Sequence, residues 1–307
     1  MQKILVFLTV LCFTVLSCTK GKTDYEKEIE TVVPEHNEFK EAIAIEQDGY
    51  RIHIDALNGT FYKGYNEIRL VVTKGQNKEQ VVPSAVTFLP IRTGAAGQQT
   101  SCPHRYTMPY LTSEGYFAGY SVFTEESGSA GSWDLYIGFT IADKVYTVKQ
   151  AVSIQAQPNK NLNMTSFVGK DDEQYVIALI APQKPKVASN ALLAGIYKWD
   201  KPTSVAGTFP DPTQFSYSEV KGYTLQLDPR MPEPSMGNHS SPNNEDLTQK
   251  DDGLYHGVVN YTMTGNWTLN FILLNKEGRI LKGTQVSHDF TPGVAGAKSE
   301  LFIDTLF

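Results

Sequence analysis

The second half of this chain repeats the first in outline, and a chain built that way is constrained to fold as two related units. Gly115-Tyr116-Phe117-Ala118-Gly119, Phe123-Thr124 and Gly131-Ser132-Trp133-Asp134-Leu135 recur as Gly253-Leu254-Tyr255-His256-Gly257, Tyr261-Thr262 and Gly265-Asn266-Trp267-Thr268-Leu269. The spacing agrees except for four extra residues before the first Gly-x-Trp. Upstream, Phe88-Leu89-Pro90 answers Leu227-Asp228-Pro229, and a histidine follows each, His104 and His239. Tyr50 and Asn66-Glu67-Ile68 correspond to Tyr175 and Asn190-Ala191-Leu192. Only the second copy fills the interval after its proline with Met231-Pro232-Glu233-Pro234-Ser235-Met236-Gly237-Asn238-His239.

Within each copy, short apolar stretches rich in β-branched and aromatic residues alternate on a two-residue period between Gly, Pro, Asn and Asp. Tyr50 to Ile54, Ile68 to Val72, Tyr120 to Phe123 and Trp133 to Phe139 follow this pattern, as do Tyr175 to Ile180, Tyr223 to Leu227, Val258 to Tyr261 and Trp267 to Leu274. Asn275-Lys276-Glu277-Gly278 is a hairpin-turn signal that predicts a returning strand from Ile280. The expected fold class is all-β: two tandem immunoglobulin-like antiparallel β-sandwiches. A tryptophan that opens a strand fills a sandwich core, so Trp133 and Trp267 mark the fold and not the function.

The N-terminus indicates the compartment. Met1-Gln2-Lys3, an apolar run from Ile4 to Val15 and Leu16-Ser17-Cys18 form a charged region, a hydrophobic region and a small-residue cleavage point. The run is too short to span a bilayer comfortably. A cysteine directly after Leu-Ser resembles the bacterial lipoprotein lipobox, which implies cleavage before Cys18 and acylation of its thiol and new amino group. Several acyl chains hold a protein firmly where one holds it marginally. The expected partner is therefore a membrane, reached through the lipid anchor at Cys18, at the inner or outer membrane of a bacterial cell envelope and facing either periplasm or surface. An envelope protein is the other candidate partner.

The organisation that follows is a signal peptide over 1–17, a lipidated cysteine and flexible spacer over 18–38, a first sandwich over 39–157, a linker over 158–166 and a second sandwich over 167–307. The spacer is charged and has few large apolar side chains, a composition that cannot offset its ordering entropy. With Cys12 removed and Cys18 lipidated, Cys102 has no cysteine to pair with. A formal charge of −6 gives no reason to expect nucleic acid as a partner.

Met231, Met236, His239, His256 and Met263 are the candidate metal ligands. Thioethers are soft ligands that favour Cu(I), and imidazole suits both oxidation states of copper, so a mixed set fits a copper-holding loop at one end of a sandwich. The same methionines also suit a core, the usual place of a lone methionine. In the first copy Cys102, His104 and Met108 form a lesser set in a polar loop, with too few donors for a closed tetrahedral site. No Gly-x-Ser-x-Gly, His-Glu-x-x-His, phosphate loop, dinucleotide fingerprint or Cys-x-x-Cys occurs, so the chain is expected to be non-catalytic.

Pro229-Arg230-Met231-Pro232, Met236-Gly237-Asn238-His239, Gly253-Leu254-Tyr255 and Met263-Thr264-Gly265-Asn266-Trp267 together resemble the YtkA-like and FixH-like small β-sandwich domains of bacterial envelope proteins. The resemblance covers residues 185–275 well and 60–140 more weakly. Two departures stand out: Pro234-Ser235 lengthens the interval between Met-Pro and Met-Gly, and Asn238 separates Gly237 from His239.

Overall fold

The computed structural model describes residues 38–75 and 79–307. The signal peptide, Cys18 and all but the last residue of the spacer lie outside the described residues. Among the described residues no helix is long and apolar enough to cross a membrane.

The first half contributes β1 (Phe39–Gln47), β2 (Tyr50–Leu57), β3 (Phe61–Tyr62), β4 (Gly64–Lys74), β5 (Glu79–Val81) and β6 (Ala85–Gly94). It continues with β7 (Gln99–Thr100), β8 (Tyr110–Leu111), β9 (Tyr116–Phe123), β10 (Gly131–Ile141), β11 (Lys144–Val152) and β12 (Ile154–Gln155). The second half contributes β13 (Met164–Val168), β14 (Gln174–Ala181), β15 (Ser189–Trp199), β16 (Tyr217–Glu219), β17 (Thr224–Met231) and β18 (His239–Ser240). Its remaining strands are β19 (Glu245–Gln249), β20 (Tyr255–Asn260), β21 (Asn266–Leu274), β22 (Ile280–Lys282) and β23 (Leu301–Leu306). The stretch read as a linker is structured, since Lys160–Leu162 forms a 3₁₀ turn and β13 begins at Met164.

Both halves are antiparallel sandwiches with one topology. In the first, the sheet β1-β2-β4-β9-β8, with β5 paired to β4, faces β11-β10-β6-β7. In the second, β13-β14-β15-β20-β19, with β16 paired to β15, faces a layer in which β17 pairs with β21 and β18, and β21 with β22 and β23. The registers agree as well: Pro90 lies opposite Leu135 on β10, and Pro229 opposite Leu269 on β21. Alternation drives the packing, because Tyr50, Ile52, Ile54 and Ala56 of β2 are buried while the residues between them are half-exposed.

Two differences separate the copies. β19 pairs with both β20 and β17, so the second sandwich is sewn along one edge into a continuous sheet of 11 strands. In the first half the same edge is closed by residues 101–109, which bond to β6 through Phe88 N to Tyr106 O at 2.8 Å and to β9 through Val122 N to Pro103 O at 2.7 Å. The second difference lies after the hairpin that Asn275 and Gly278 build. β22 and β23 both pair with β21, where the single strand β11 lines β10, and residues 283–300 loop out between them. This strap lies over the outer face of β17 and β21. Ser299 N donates to Asn270 Oδ1 at 2.8 Å, Gly296 N to Pro232 O at 2.7 Å and Asn238 Nδ2 to Ser287 O at 3.1 Å.

The repeat extends to single side chains. Asn66 Oδ1 accepts from Tyr62 N at 2.9 Å, while its Nδ2 donates to Tyr62 O at 2.7 Å and Gly64 O at 2.9 Å. Asn190 makes the same three bonds, with Lys186 N at 2.9 Å, Lys186 O at 2.9 Å and Ala188 O at 2.7 Å. Each amide thus satisfies three backbone groups at the bend that leads into β4 or β15. Replacing either asparagine by alanine is expected to destabilise the chain by about 2–3 kcal/mol, and by similar amounts at both positions, in urea unfolding at pH 7; a cost confined to one copy would contradict the equivalence.

Candidate functional site

The methionine and histidine set gathers, with one exception, at the end of the second sandwich where β17, β18 and β21 meet. Met231, the last residue of β17, lies opposite His239 in register and is 2 % exposed. Its thioether reaches beneath Gly265: a Cβ placed there would stand 2.6 Å from Met231 Cε, so this glycine leaves the methyl its space. Gly237 and Asn238 both have positive φ, at 62° and 53°, and this pair turns the chain from the Pro234–Met236 turn back into β18. Met236 and Met263 are partly buried against the same core. His239 Nε2 lies 2.8 Å from Thr262 Oγ1, and its ring centroid is 6.1 Å from that of Trp267. Trp267 Nε1 in turn donates to Met263 O at 3.1 Å.

His256 does not join them. It stands second in β20, bonded through Nε2 to Asp252 Oδ2 at 2.9 Å, while Met263 follows the far end of that strand. At roughly 3.3 Å per residue, the remaining length of β20 alone separates His256 from the cluster by about 13 Å. The set expected from sequence therefore reduces to Met231, Met236, His239 and Met263. Among the described residues no three of the His, Cys, Asp and Glu side chains are grouped to hold a metal ion, so a metal at this end of the sandwich would depend on thioether sulfur.

The lesser set is placed differently from its expected polar loop. Residues 101–109 close the sandwich edge, so Cys102 is fully buried, Met108 is 3 % exposed and His104 is 6 % exposed. Burial pushes the Cys102 thiol up to about 12, against hydrogen bonds from the Ser121 hydroxyl, 3.3 Å away, and the Val122 backbone. Burial also lowers His104 to about 4, opposed by the bond its Nδ1 donates to Cys102 O at 2.7 Å. A protonated thiol is a poor metal donor, and His104, though neutral, is enclosed with it in the sandwich edge, so these side chains serve packing and not an open site.

No family model matches the chain, and no curated protein matches it. Among solved structures, the crystal structure of the conserved domain protein from Bacillus anthracis is similar over 79 % of this chain and 84 % of that chain, at 12 % identity and a TM-score of 0.29. A likeness that weak carries no argument about function.

One region of contact was not foreseen, the junction of the two sandwiches. The outward residues Tyr120 and Val122 of β9 pack on Val176 and Ala178 of β14 and on Tyr197 of β15. The Tyr120 hydroxyl donates to Glu219 Oε1 at 3.1 Å, Arg105 lies 3.6 Å from the same oxygen, and Tyr217 donates to Ser101 O at 3.3 Å. Phe215 adds a second contact, packing with Leu89 and Ile91 of β6. The signal was present in Tyr175-Val176-Ile177-Ala178-Leu179, which is apolar at every position, whereas a strand with one solvated face alternates.

The buried imidazole of His104 gives a test of this geometry. Its folded value lies near 4 and its ordinary value is 6.5, so the unfolded chain takes up the proton first as pH falls. Stability drops through the window from 6.5 to 4 and is constant with respect to this group below it. Between pH 7 and pH 5 the native chain is expected to lose about 2 kcal/mol more than His104→Asn, measured by urea unfolding at both pH values.

Proposed function

We propose that this chain is a lipid-anchored protein of a bacterial cell envelope whose two sandwiches form one rigid, non-catalytic binding module. The observation that carries the reading is the junction, where Tyr120, Val122, Val176, Ala178 and Tyr197 share one apolar cluster. Loosely linked modules expose polar faces to each other, whereas here two sheets bury their outer faces in common and present their loops and free edges as a single body. The lipobox at Leu16-Ser17-Cys18 supplies the anchor, and the resemblance of residues 185–275 to YtkA-like and FixH-like domains supports an envelope location. Expressed in a bacterium with a labelled fatty acid, the native chain is expected to incorporate label and sediment with membranes, while Cys18→Ser does neither. The binding role is tested by capture from envelope extracts, in which a stoichiometric partner that survives chelation is expected; recovery of the anchored chain alone counts against the role.

A second reading is favoured by the placement of Met231, Met236, His239 and Met263 at one end of the second sandwich: copper capture by that end. Thioether and imidazole together hold Cu(I) without a thiolate. Under this reading, replacing Met231, Met236 and His239 by alanine lowers Cu(I) affinity at least about tenfold in chelator competition, a change of about 1.4 kcal/mol. His256→Ala, at the far end of β20, leaves the affinity unchanged. Equal affinity in all three proteins ends the copper reading and leaves the binding module standing.

A further inference from the structure

A cleft of about 310 Å³ opens at the junction of the two sandwiches. Its walls come from both: the start of β1 and the bends around β3 from the first, the end of β14 from the second, and residues 157–162 between them. Clefts between packed units are where small-molecule sites concentrate, and this volume lies at the lower end of the range for such sites, about 300–1,000 Å³.

The chemistry of the lining is specific. Phe39, Tyr62 and Tyr65 supply aromatic surface and Asn58 an amide, while the Gln157 amide already donates to Lys63 O and accepts from Asn159 N, at 3.4 Å each. The charged side chain in the lining is Glu67, whose Oε1 already accepts two bonds from Arg69, at 3.2 Å each. With no cation lining it, the cleft does not suit an anion, and with a single engaged carboxylate it does not suit a strongly charged cation. Tyr65 is held in place by its stack on Tyr120, with centroids 5.7 Å apart and rings 18° from parallel. Asn58 is fixed by a left-handed backbone, φ 58°, with its N–H bonded to Glu38 O at 2.7 Å. Among the described residues nothing hydrogen-bonds the Asn58 amide or the Tyr62 hydroxyl, so these polar groups are free to serve a ligand, whereas Tyr65 contributes its ring.

Aromatic faces beside the open Asn58 amide and Tyr62 hydroxyl, with little charge in the lining, match a molecule that is apolar on its ring faces and rich in hydroxyls around its rim. We infer that this cleft binds a neutral mono- or disaccharide, with C–H faces of the sugar ring against the aromatic side chains and its hydroxyls bonded to Asn58 and Tyr62. The inference deepens the binding-module reading and rests on it. Its failure is distinguishable, because an empty cleft leaves the acylation and partner experiments untouched.

The test is a titration of the intact chain, held in a detergent without a sugar headgroup, with maltose, cellobiose and N,N′-diacetylchitobiose, followed by calorimetry. Saturable binding of at least one is expected, with a Kd between about 10 μM and about 10 mM. The double variant Asn58→Ala, Tyr62→Ala is expected to weaken that binding at least about tenfold, and Asn58→Asp, a milder change, to weaken it as well. Thermal unfolding of each variant reports whether the fold is retained, and Lys144→Ala on the distant β10–β11 turn serves as the unaffected control. No saturable binding of any of the three sugars up to about 50 mM overturns the inference. So does binding that folded Asn58 and Tyr62 variants leave unchanged.

Discussion

A fully buried indole must find an acceptor for its N–H, and in both halves of this protein that requirement sets the path of the chain. Trp133 and Trp267 are each inaccessible to solvent. Trp133 Nε1 donates to Glu125 O at 3.0 Å and Trp267 Nε1 to Met263 O at 3.1 Å. Glu125 stands two residues after Phe123 and Met263 two after Tyr261, and these are the rings that pack on the two indoles, at 5.1 Å and 5.3 Å. The same carbonyl therefore serves the same indole in each copy, and the four extra residues of the first copy bulge beyond it without disturbing the bond. An unpaired indole N–H at this depth costs about 1–3 kcal/mol, enough to hold the loop against drift in its length.

Around that shared frame the copies have diverged in what covers them. The first presents the outer face of β6, β10 and β11, and loop residue Phe209 of the second half packs edge-on against Tyr136 there, centroids 5.6 Å apart. The second hides its equivalent face under the strap, beneath which Arg230 is 1 % exposed yet bonded to Asp228 Oδ2 at 2.9 Å and to the His288 ring at 2.7 Å. A guanidinium so deep is tolerated because its charge meets a carboxylate and its N–H groups meet acceptors. Insertion of 283–300 between β22 and β23 has thus converted a solvated sheet face into a polar interior layer.

How much of this could be read from the sequence differs by level. Alternation named the strands, and the recurrence of Gly-x-Trp, Tyr50 with Tyr175, and Asn66 with Asn190 named the duplication, because these are the residues whose packing or hydrogen bonding the fold cannot replace. The hairpin at Asn275–Gly278 was legible from turn chemistry alone, with Asn275 Oδ1 accepting from Glu277 N and Arg279 N. The positions of the candidate ligands were legible only in part. Sequence proximity brought Met231 and His239 together correctly, whereas grouping His256 with them ignored the length of β20. Cys102 and His104 were misjudged because polar neighbours suggest an exposed loop, and the segment instead bonds to two strands at once. The junction and the strap were missed because both depend on contacts between distant parts of the chain, which no local pattern records.

The closure of the first sandwich by residues 101–109 has a bearing on the chemistry of its thiol. Cys102, the one cysteine among the described residues, would if exposed be a liability under oxidising conditions, open to mixed disulfides and to covalent pairing with other copies. Here the sulfur is walled in between β6 and β9 and kept in its unreactive form, so an odd thiol can be retained as core packing without chemical consequence.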